Sequence, residues 1–381
     1  MAETGLPLGA VYTGATSSSM AEARKAAEAS PEGYIPSAFD PSTCSKKGYC
    51  TVARDRVPPG KNKMPSDDAR AKGARPPRTT DDEGQPWRGF DVYYEVHGTG
   101  PRKVVFIMGL NNSCFGWLNQ VEHLAKDPRY SCLVLDNRGY GNSETPAANY
   151  RTSEMALDIL ELADALGWTG KLHLVGVSMG GMISLEMAKV VPERIASLTL
   201  LSTTSGRGNG EKHLSTSLPP WTGVSTIARL IAGRTMGFDS DAYRVNAVME
   251  LLFPPKWLDE KDTRNGKTNR ENMQAMFAYR FGFTRRQTIF GALAQVRAVI
   301  THRVSPAQLR AIDAAVPVVT IVTGDQDNLV NPLNSHHLAK HMKRARLVQV
   351  PDAGHAMPVQ LPDVINSILE RAFDEGEEKH S

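Results

Sequence analysis

From about Trp87 onward, short apolar runs alternate with amphipathic segments, and this alternation is the strongest pattern in the chain. Val92 to Val96 (VYYEV) reads as a strand, and Lys103 to Met108 (KVVFIM) as a buried strand bounded by Gly109. A helix is predicted over Trp117 to Lys126, then a strand over Cys132 to Leu135 that ends in Asp136-Asn137-Arg138-Gly139. Thr152 or Ser153 can cap the next helix, in which Met155, Ile159, Leu162 and Leu166 recur on one face before Gly167 closes it. Leu172 to Val177 (LHLVGV) is a strand running straight into Ser178-Met179-Gly180-Gly181 and a helix to about Val190, followed by a strand over Ile195 to Leu201. Strands alternating with helices give a mostly parallel sheet covered on both faces, because each crossover lays a helix over the strands it joins. Catalytic groups then belong at the carboxyl ends of the strands.

The first 86 residues do not share this pattern. Between Cys44 and Thr80 ten Lys and Arg face three Asp, with Pro58, Pro59, Pro65, Pro76 and Pro77 among them and few large apolar side chains. Such a stretch cannot offset the entropy of ordering it, so residues 1–86 are expected to form a largely irregular extension, dispensable for chemistry. The whole chain carries only +3 over 381 residues, leaving the remainder mildly acidic. A single aromatic, Tyr49, falls among the basic residues, so no nucleic-acid partner is expected. No apolar run approaches the ~20 residues of a membrane span, and the N-terminus lacks a leader pattern. Four scattered cysteines make no disulfide framework, which together points to a cytoplasmic, reducing address.

Gly176-Val177-Ser178-Met179-Gly180 is a G-x-S-x-G placed after an apolar strand and before a helix. The turn such a segment makes is tight enough to hold the serine in a strained conformation with its hydroxyl exposed, and glycines flank it because side chains there collide with strand or helix. Serine is a poor nucleophile at neutral pH; it needs a base, and the base an orienting carboxylate. Two later strand-like segments deliver such groups. Val316 to Val322 ends in Thr323-Gly324-Asp325-Gln326-Asp327, and Arg346 to Val350 ends in Pro351-Asp352-Ala353-Gly354-His355. Serine, acid and histidine at three strand ends, in that chain order, suit acyl transfer.

These pieces resemble the α/β-hydrolase fold family over roughly Trp87 to Phe373. The resemblance implies a mostly parallel central sheet with helices on both faces and an inserted helical cap. It assigns Ser178, Asp327 and His355 as the catalytic residues, preferring Asp327 over Asp325 as the second acid of its turn. It also implies an oxyanion hole built from the backbone N–H groups of Leu110 and Met179. The chain departs from most of that family in having Met108-Gly109 where His-Gly is usual, and Asn111 and Asn112 are candidates to stabilise this loop or touch substrate.

The corresponding division is a core over 87–204 and 313–375, a cap over 205–312 and a polar tail over 376–381. Trp221, Phe253, Phe277 and Phe281 in the cap suit an apolar pocket. Arg280, Arg285 and Arg286 are read chiefly as a solvated helical face, with contact to a substrate carboxylate as the alternative. Asp136 is read as a turn residue bonding its own backbone, and His97, His123, His173, His213 and His302 as packing or surface groups. No P-loop, dinucleotide fingerprint or H-E-x-x-H is present, so neither cofactor nor metal is expected. The expected activity is hydrolysis of a small, largely apolar carboxylic ester through an acyl-enzyme. Amide or imino-peptide hydrolysis and carbon–carbon bond hydrolysis use the same three residues and stay open, as does a ligand receptor on the same scaffold; the oligomeric state is not readable.

Overall fold

The computed structural model describes residues 37–56, 87–147, 150–206, 220, 225–226, 241–285 and 287–379. Eight strands form one sheet: β1 (Cys44–Val52), β2 (Phe90–His97), β3 (Arg102–Ile107), β4 (Tyr130–Leu135), β5 (Leu172–Val177), β6 (Ile195–Leu201), β7 (Val318–Gly324) and β8 (Arg346–Val350), in the spatial order β1-β2-β4-β3-β5-β6-β7-β8. The β1–β2 and β2–β4 pairs are antiparallel and the rest are parallel. Every residue of β4, β5, β6 and β7 is buried, as continuous apolar strands between two helical layers must be. One core cluster joins α2 (Thr152–Ala165), α3 (Met179–Val190) and α7 (Pro306–Ala315) to one face of the sheet. A second joins α1 (Leu118–Leu124) and α9 (Pro362–Glu378) to the other. Between β6 and α7 the chain forms α4 (Asp241–Leu252), α5 (Asn269–Phe281) and α6 (Ile289–Thr301), and α8 (Leu333–His341) links β7 to β8.

Three details differ from the sequence reading. Cys44–Val52, placed in the irregular extension, is an edge strand whose partner is β2 in register from Val52–Phe90 to Lys46–Val96. Lys46 and Lys47 there are the charged residues that guard an exposed edge against pairing with another chain, which is why the segment reads as polar tail. Arg151, not Thr152 or Ser153, occupies the cap of α2, and Thr152 instead turns its hydroxyl to His302. The last helix continues through Glu378, past the expected start of the tail at 376, and is seated there by Gly376, which packs closely on the backbone of Ala196.

The extension is latched by polar groups inside the fold. Glu95 and His97 on β2 are fully buried; Glu95 accepts from Tyr93 Oη at 2.7 Å and Ser37 Oγ at 2.9 Å, and His97 contacts Glu95 at 3.1 Å and Thr43 Oγ1 at 2.9 Å. Cys44 completes a metal-like donor set with them, but the acid and the histidine are already satisfied by their protein partners. Further along, Arg56 pairs with Glu154, Asp158 and Glu161 of α2.

Candidate active site

β5 ends at Val177, and Ser178 follows with φ 56° and ψ −120°, a left-handed conformation that costs a non-glycine residue about 1–3 kcal/mol. The surroundings over-determine it. Ser178 N–H donates to the Leu201 carbonyl at 2.9 Å, and the Ser178 carbonyl accepts from Gly181 N–H at 3.0 Å and from Thr203 Oγ1 at 2.7 Å. A Cβ on Gly176 would lie 2.4 Å from the Gly180 carbonyl oxygen, and one on Gly180 2.0 Å from that of Ile107. Both flanking glycines are therefore required by close approach of backbone.

β7 delivers Asp327 and β8 delivers His355. Asp327 Oδ2 lies 2.9 Å from His355 Nδ1 and Oδ1 lies 3.1 Å from it. Oδ1 also accepts the N–H groups of Leu329 and Val330, each at 2.8 Å, so the carboxylate is held by its own turn. Asp325 is exposed and makes no such contact, whereas Asp327 and His355 are buried. Ser178 and His355 share no hydrogen bond; nucleophile and base commonly close up only around substrate.

Gly109 sits against Ser178: a Cβ there would lie 3.1 Å from Ser178 Cβ and 3.7 Å from Ser178 Oγ. The Leu110 and Met179 N–H groups, at this junction, donate to no acceptor among the described residues. The loop between them and α1 is held at four points. Asn137 Nδ2 donates to the Met108 carbonyl at 2.9 Å, Asn111 N–H donates to Gln295 Oε1 at 3.1 Å, Arg280 Nη2 donates to Asn112 Oδ1 at 2.6 Å, and Cys114 N–H donates to Asp136 Oδ1 at 2.8 Å. Asp136 also accepts from Asn142 N–H, and its burial pushes its pKa up to about 6 against the lowering effect of those two N–H donors. Its role is thus broader than a local turn: it ties the loop after β3 to the loop after β4.

The remaining sequence-predicted residues divide. Asn111 and Asn112 lie in that loop, Asn111 with φ 53°. Phe253 is buried and stacks on Trp257, next to Gly354 and so beside His355. Phe277 packs against the cluster of Met249, Phe253 and Leu258 and stacks on Phe281, which is itself half exposed. Trp221 and Arg286 lie outside the described residues. Arg280 and Arg285 are not on a solvated face: they are 3% and 4% exposed, Arg285 donating to the carbonyls of Gly141 and Ser143. The residue that sequence reasoning missed is Gln295 of α6, fully buried, which accepts from Asn111 N–H and donates to the Arg138 carbonyl at 2.9 Å. An isolated glutamine on an apolar helical face, between Ala294 and Val296, is its one sequence signal. An open groove of about 530 Å³, lined by residues including Arg88, Glu144 and Phe290, contains none of Ser178, Asp327 and His355.

A parallel-sheet enzyme with a strained serine at one strand end and an acid–histidine pair at two others belongs among the hydrolases of this architecture. The chain is a member of the alpha/beta hydrolase fold family, whose profile matches residues 103–360. Among curated proteins it is similar to "Putative carbamate hydrolase RutD" of Azorhizobium caulinodans, 29% identical over 73% of this chain and 93% of that protein. The protein of the same name from Caulobacter segnis is 28% identical over 73% of this chain and 94% of that one. Among solved structures, an esterase from Thermogutta terrifontis superposes with a TM-score of 0.58 at 21% identity, covering 78% of this chain and 97% of that one. The enol-lactonase of Burkholderia xenovorans gives 0.58 at 21% identity over 75% and 97%. The protein is a hydrolase of this fold, and among the described residues no helix is long and apolar enough to cross a membrane.

Proposed function

We propose that this hydrolase cleaves a carboxylic ester of a small, largely apolar molecule through Ser178, His355 and Asp327. The observation that carries the reading is the strained Ser178 at the end of β5, with Gly109 packed against its side chain. His355 takes the Ser178 proton as Oγ attacks the carbonyl carbon, while Asp327 fixes the imidazole through Nδ1 and stabilises its cation. The negative charge moving onto the carbonyl oxygen is held by the N–H groups of Leu110 and Met179. Each such preorganised donor typically contributes about 10²–10³ in rate. His355 then passes its proton to the departing alcohol, activates a water against the acyl-enzyme, and returns Ser178 as the acid leaves. The helices α4 to α6 act as the cap, whereas α7, which begins at Pro306 inside the expected cap range, packs in the core; Phe253, beside His355, and Phe277, packed in the same cluster, supply apolar lining.

The test is hydrolysis of p-nitrophenyl esters of increasing acyl length by the wild type and Ser178→Ala, with folding checked by circular dichroism. Loss of a serine nucleophile is expected to lower kcat by about 10⁴–10⁶-fold. If the wild type hydrolyses no ester and takes no fluorophosphonate label, Ser178 is not activated and a ligand-receptor role replaces the enzymatic one. A second reading, carbamate hydrolysis, is favoured by the names of the similar curated proteins. It uses the same attack, and when the alcohol leaves it passes through a carbamoyl-enzyme in place of an acyl-enzyme, so carbamate and ester substrates matched in their alcohol separate the two.

A further inference from the structure

Arg280, near the end of α5, is a buried cation without a role in the proposed chemistry. The residue is 3% exposed, and among the described residues its guanidinium makes one hydrogen bond, from Nη2 to Asn112 Oδ1 at 2.6 Å. Its Nε–H is buried without an acceptor, and among the described residues no carboxylate lies within 4.0 Å of it. The Phe277 ring, 5.6 Å from Cζ, offers a cation–π contact but no acceptor. The charge of Asp136 reaches Arg280 only through space, and that carboxylate is already bound by Cys114 and Asn142 N–H groups. Burial pushes the Arg280 pKa down to about 10, which still leaves it charged at neutral pH. A buried, charged guanidinium with a single neutral partner is costly to maintain, and a planar carboxylate is the ligand its fork of donors fits best.

Its position says which carboxylate. Asn112, the residue Arg280 holds, is two positions beyond Leu110 in the loop whose Gly109 touches Ser178. A Cβ on Gly116 would lie 2.1 Å from Met108 Cε and 3.3 Å from Arg280 Nη2, so the guanidinium and the side chain that precedes Gly109 share the space beside Gly116. We propose that Arg280, with Asn112, receives a carboxylate carried by the substrate, so that the ester opened at Ser178 bears a free carboxylate at its far end. This rests on the reading of Ser178 as nucleophile and narrows it: the apolar residues beside His355 take the chain of the substrate, and Arg280 takes its anionic end.

The experiment compares half-esters with neutral isosteres on the full chain. The monoethyl esters of succinate, glutarate and adipate, with the carboxylate on the acyl side, and 4-acetoxybutanoate, with it on the alcohol side, are set against ethyl pentanoate and butyl acetate. Acid release is followed by pH-stat. The wild type is expected to prefer at least one half-ester, and the ratio of its kcat/KM to that of the neutral ester is expected to fall about 10–100-fold in Arg280→Gln. In Arg280→Lys, which keeps the charge but not the fork, the ratio lies between. General damage to the fold lowers both substrates and leaves the ratio alone, so an unchanged ratio overturns the proposal, as does a wild type that favours no half-ester. Calorimetric binding of the same half-esters to Ser178→Ala gives a readout that needs no turnover. There the added Arg280→Gln change is expected to weaken binding at least 10-fold, and equal affinity with and without it overturns the proposal. A chain that takes no fluorophosphonate label but binds half-esters in an Arg280-dependent way sinks the esterase reading and keeps this one.

Discussion

Gln295 shows how a single residue distant in sequence pins the loop that packs against Ser178. Its Oε1 accepts from Asn111 N–H, 184 positions away in the chain, and its Nε2 donates to the Arg138 carbonyl. Asn111 holds a positive φ, and a non-glycine residue in that region relaxes unless its backbone is pinned. Gln295→Leu removes the acceptor and strands Asn111 N–H and the Arg138 carbonyl. The stability cost of such stranded groups is about 1–3 kcal/mol each at most. The sharper expectation is kinetic: on an ester the variant hydrolyses, kcat falls about 10-fold with little change in KM, because the loop supplying the Leu110 N–H is loosened while the apolar lining is intact. Gln295→Glu keeps the acceptor, loses the donor to Arg138 and recovers part of kcat. A variant that raises KM and leaves kcat unchanged would assign Gln295 to substrate binding instead. The companion prediction at this scale is Asp327→Asn, which leaves His355 without its anionic partner. It is expected to lower kcat about 10⁴-fold, measured on the same substrates; a fall under tenfold would remove Asp327 from the catalytic set.

At the scale of elements, what was legible followed from burial. Strands β3 to β7 stand between two helical layers, and their apolar runs announce them whatever their neighbours do. Each of the three strand ends proposed to carry chemistry is marked by small residues, Gly176 and Gly180, Gly324, and Gly354, because backbone passes close to backbone there. How α4 to α6 sit on the sheet was not legible, since α6 joins the core through small side chains such as Ala294 and Ala298, and the loops beneath are tied down by single polar groups, Gln295 and Arg280. Arg280 and Arg285 read as solvated because charge on a helix is normally exposed, yet both bury against loop carbonyls or Asn112. His302, which ends α6, is a similar case. It is buried, its Nδ1 lies 2.8 Å from Thr152 Oγ1 of α2 and 3.5 Å from Glu186 Oε1 of α3, and burial lowers its pKa despite that acid. The unfolded chain therefore takes up a proton near pH 6.5 that the native state resists. The stability this contributes is present above that pH and lost as pH falls through and below it toward the depressed native value. Urea unfolding at pH 7.5 and 5.5 should show a drop that is smaller in His302→Gln. An identical drop in both proteins would mean other groups carry the acid sensitivity.

For the molecule as a whole, the extension has to be divided into a part that belongs to the fold and a part whose composition alone is known. Residues 37–56 are built in. β1 covers the edge of β2, Phe39 packs against His97 at 4.8 Å and Phe115 at 5.3 Å between ring centroids, and Trp87 Nε1 donates to the Ala53 carbonyl. Phe115 lies in the short helix Cys114–Trp117 that follows the loop after β3, so this packing reaches to within a few residues of Asn112. A chain beginning at Asp81 keeps every residue proposed for chemistry, but it bares the edge of β2, uncovers Phe115 and leaves Glu95 and His97 without Ser37 and Thr43. Loss of the Phe39 contacts alone is worth about 3–5 kcal/mol by the usual cost of deleting a buried aromatic. In a domain of this size that lowers Tm by roughly 10 °C, and the exposed strand edge adds a tendency to self-associate. The truncated chain is therefore expected to melt well below the full one and to aggregate with rising concentration, while its fluorophosphonate labelling tracks the fraction still folded. Phe39→Ala in the full chain should reproduce part of the Tm loss without the aggregation, because β1 remains paired. If the truncated chain melts with the full one and stays monodisperse, β1 is an ornament of the sheet, and the dispensability expected from its composition extends to the fold.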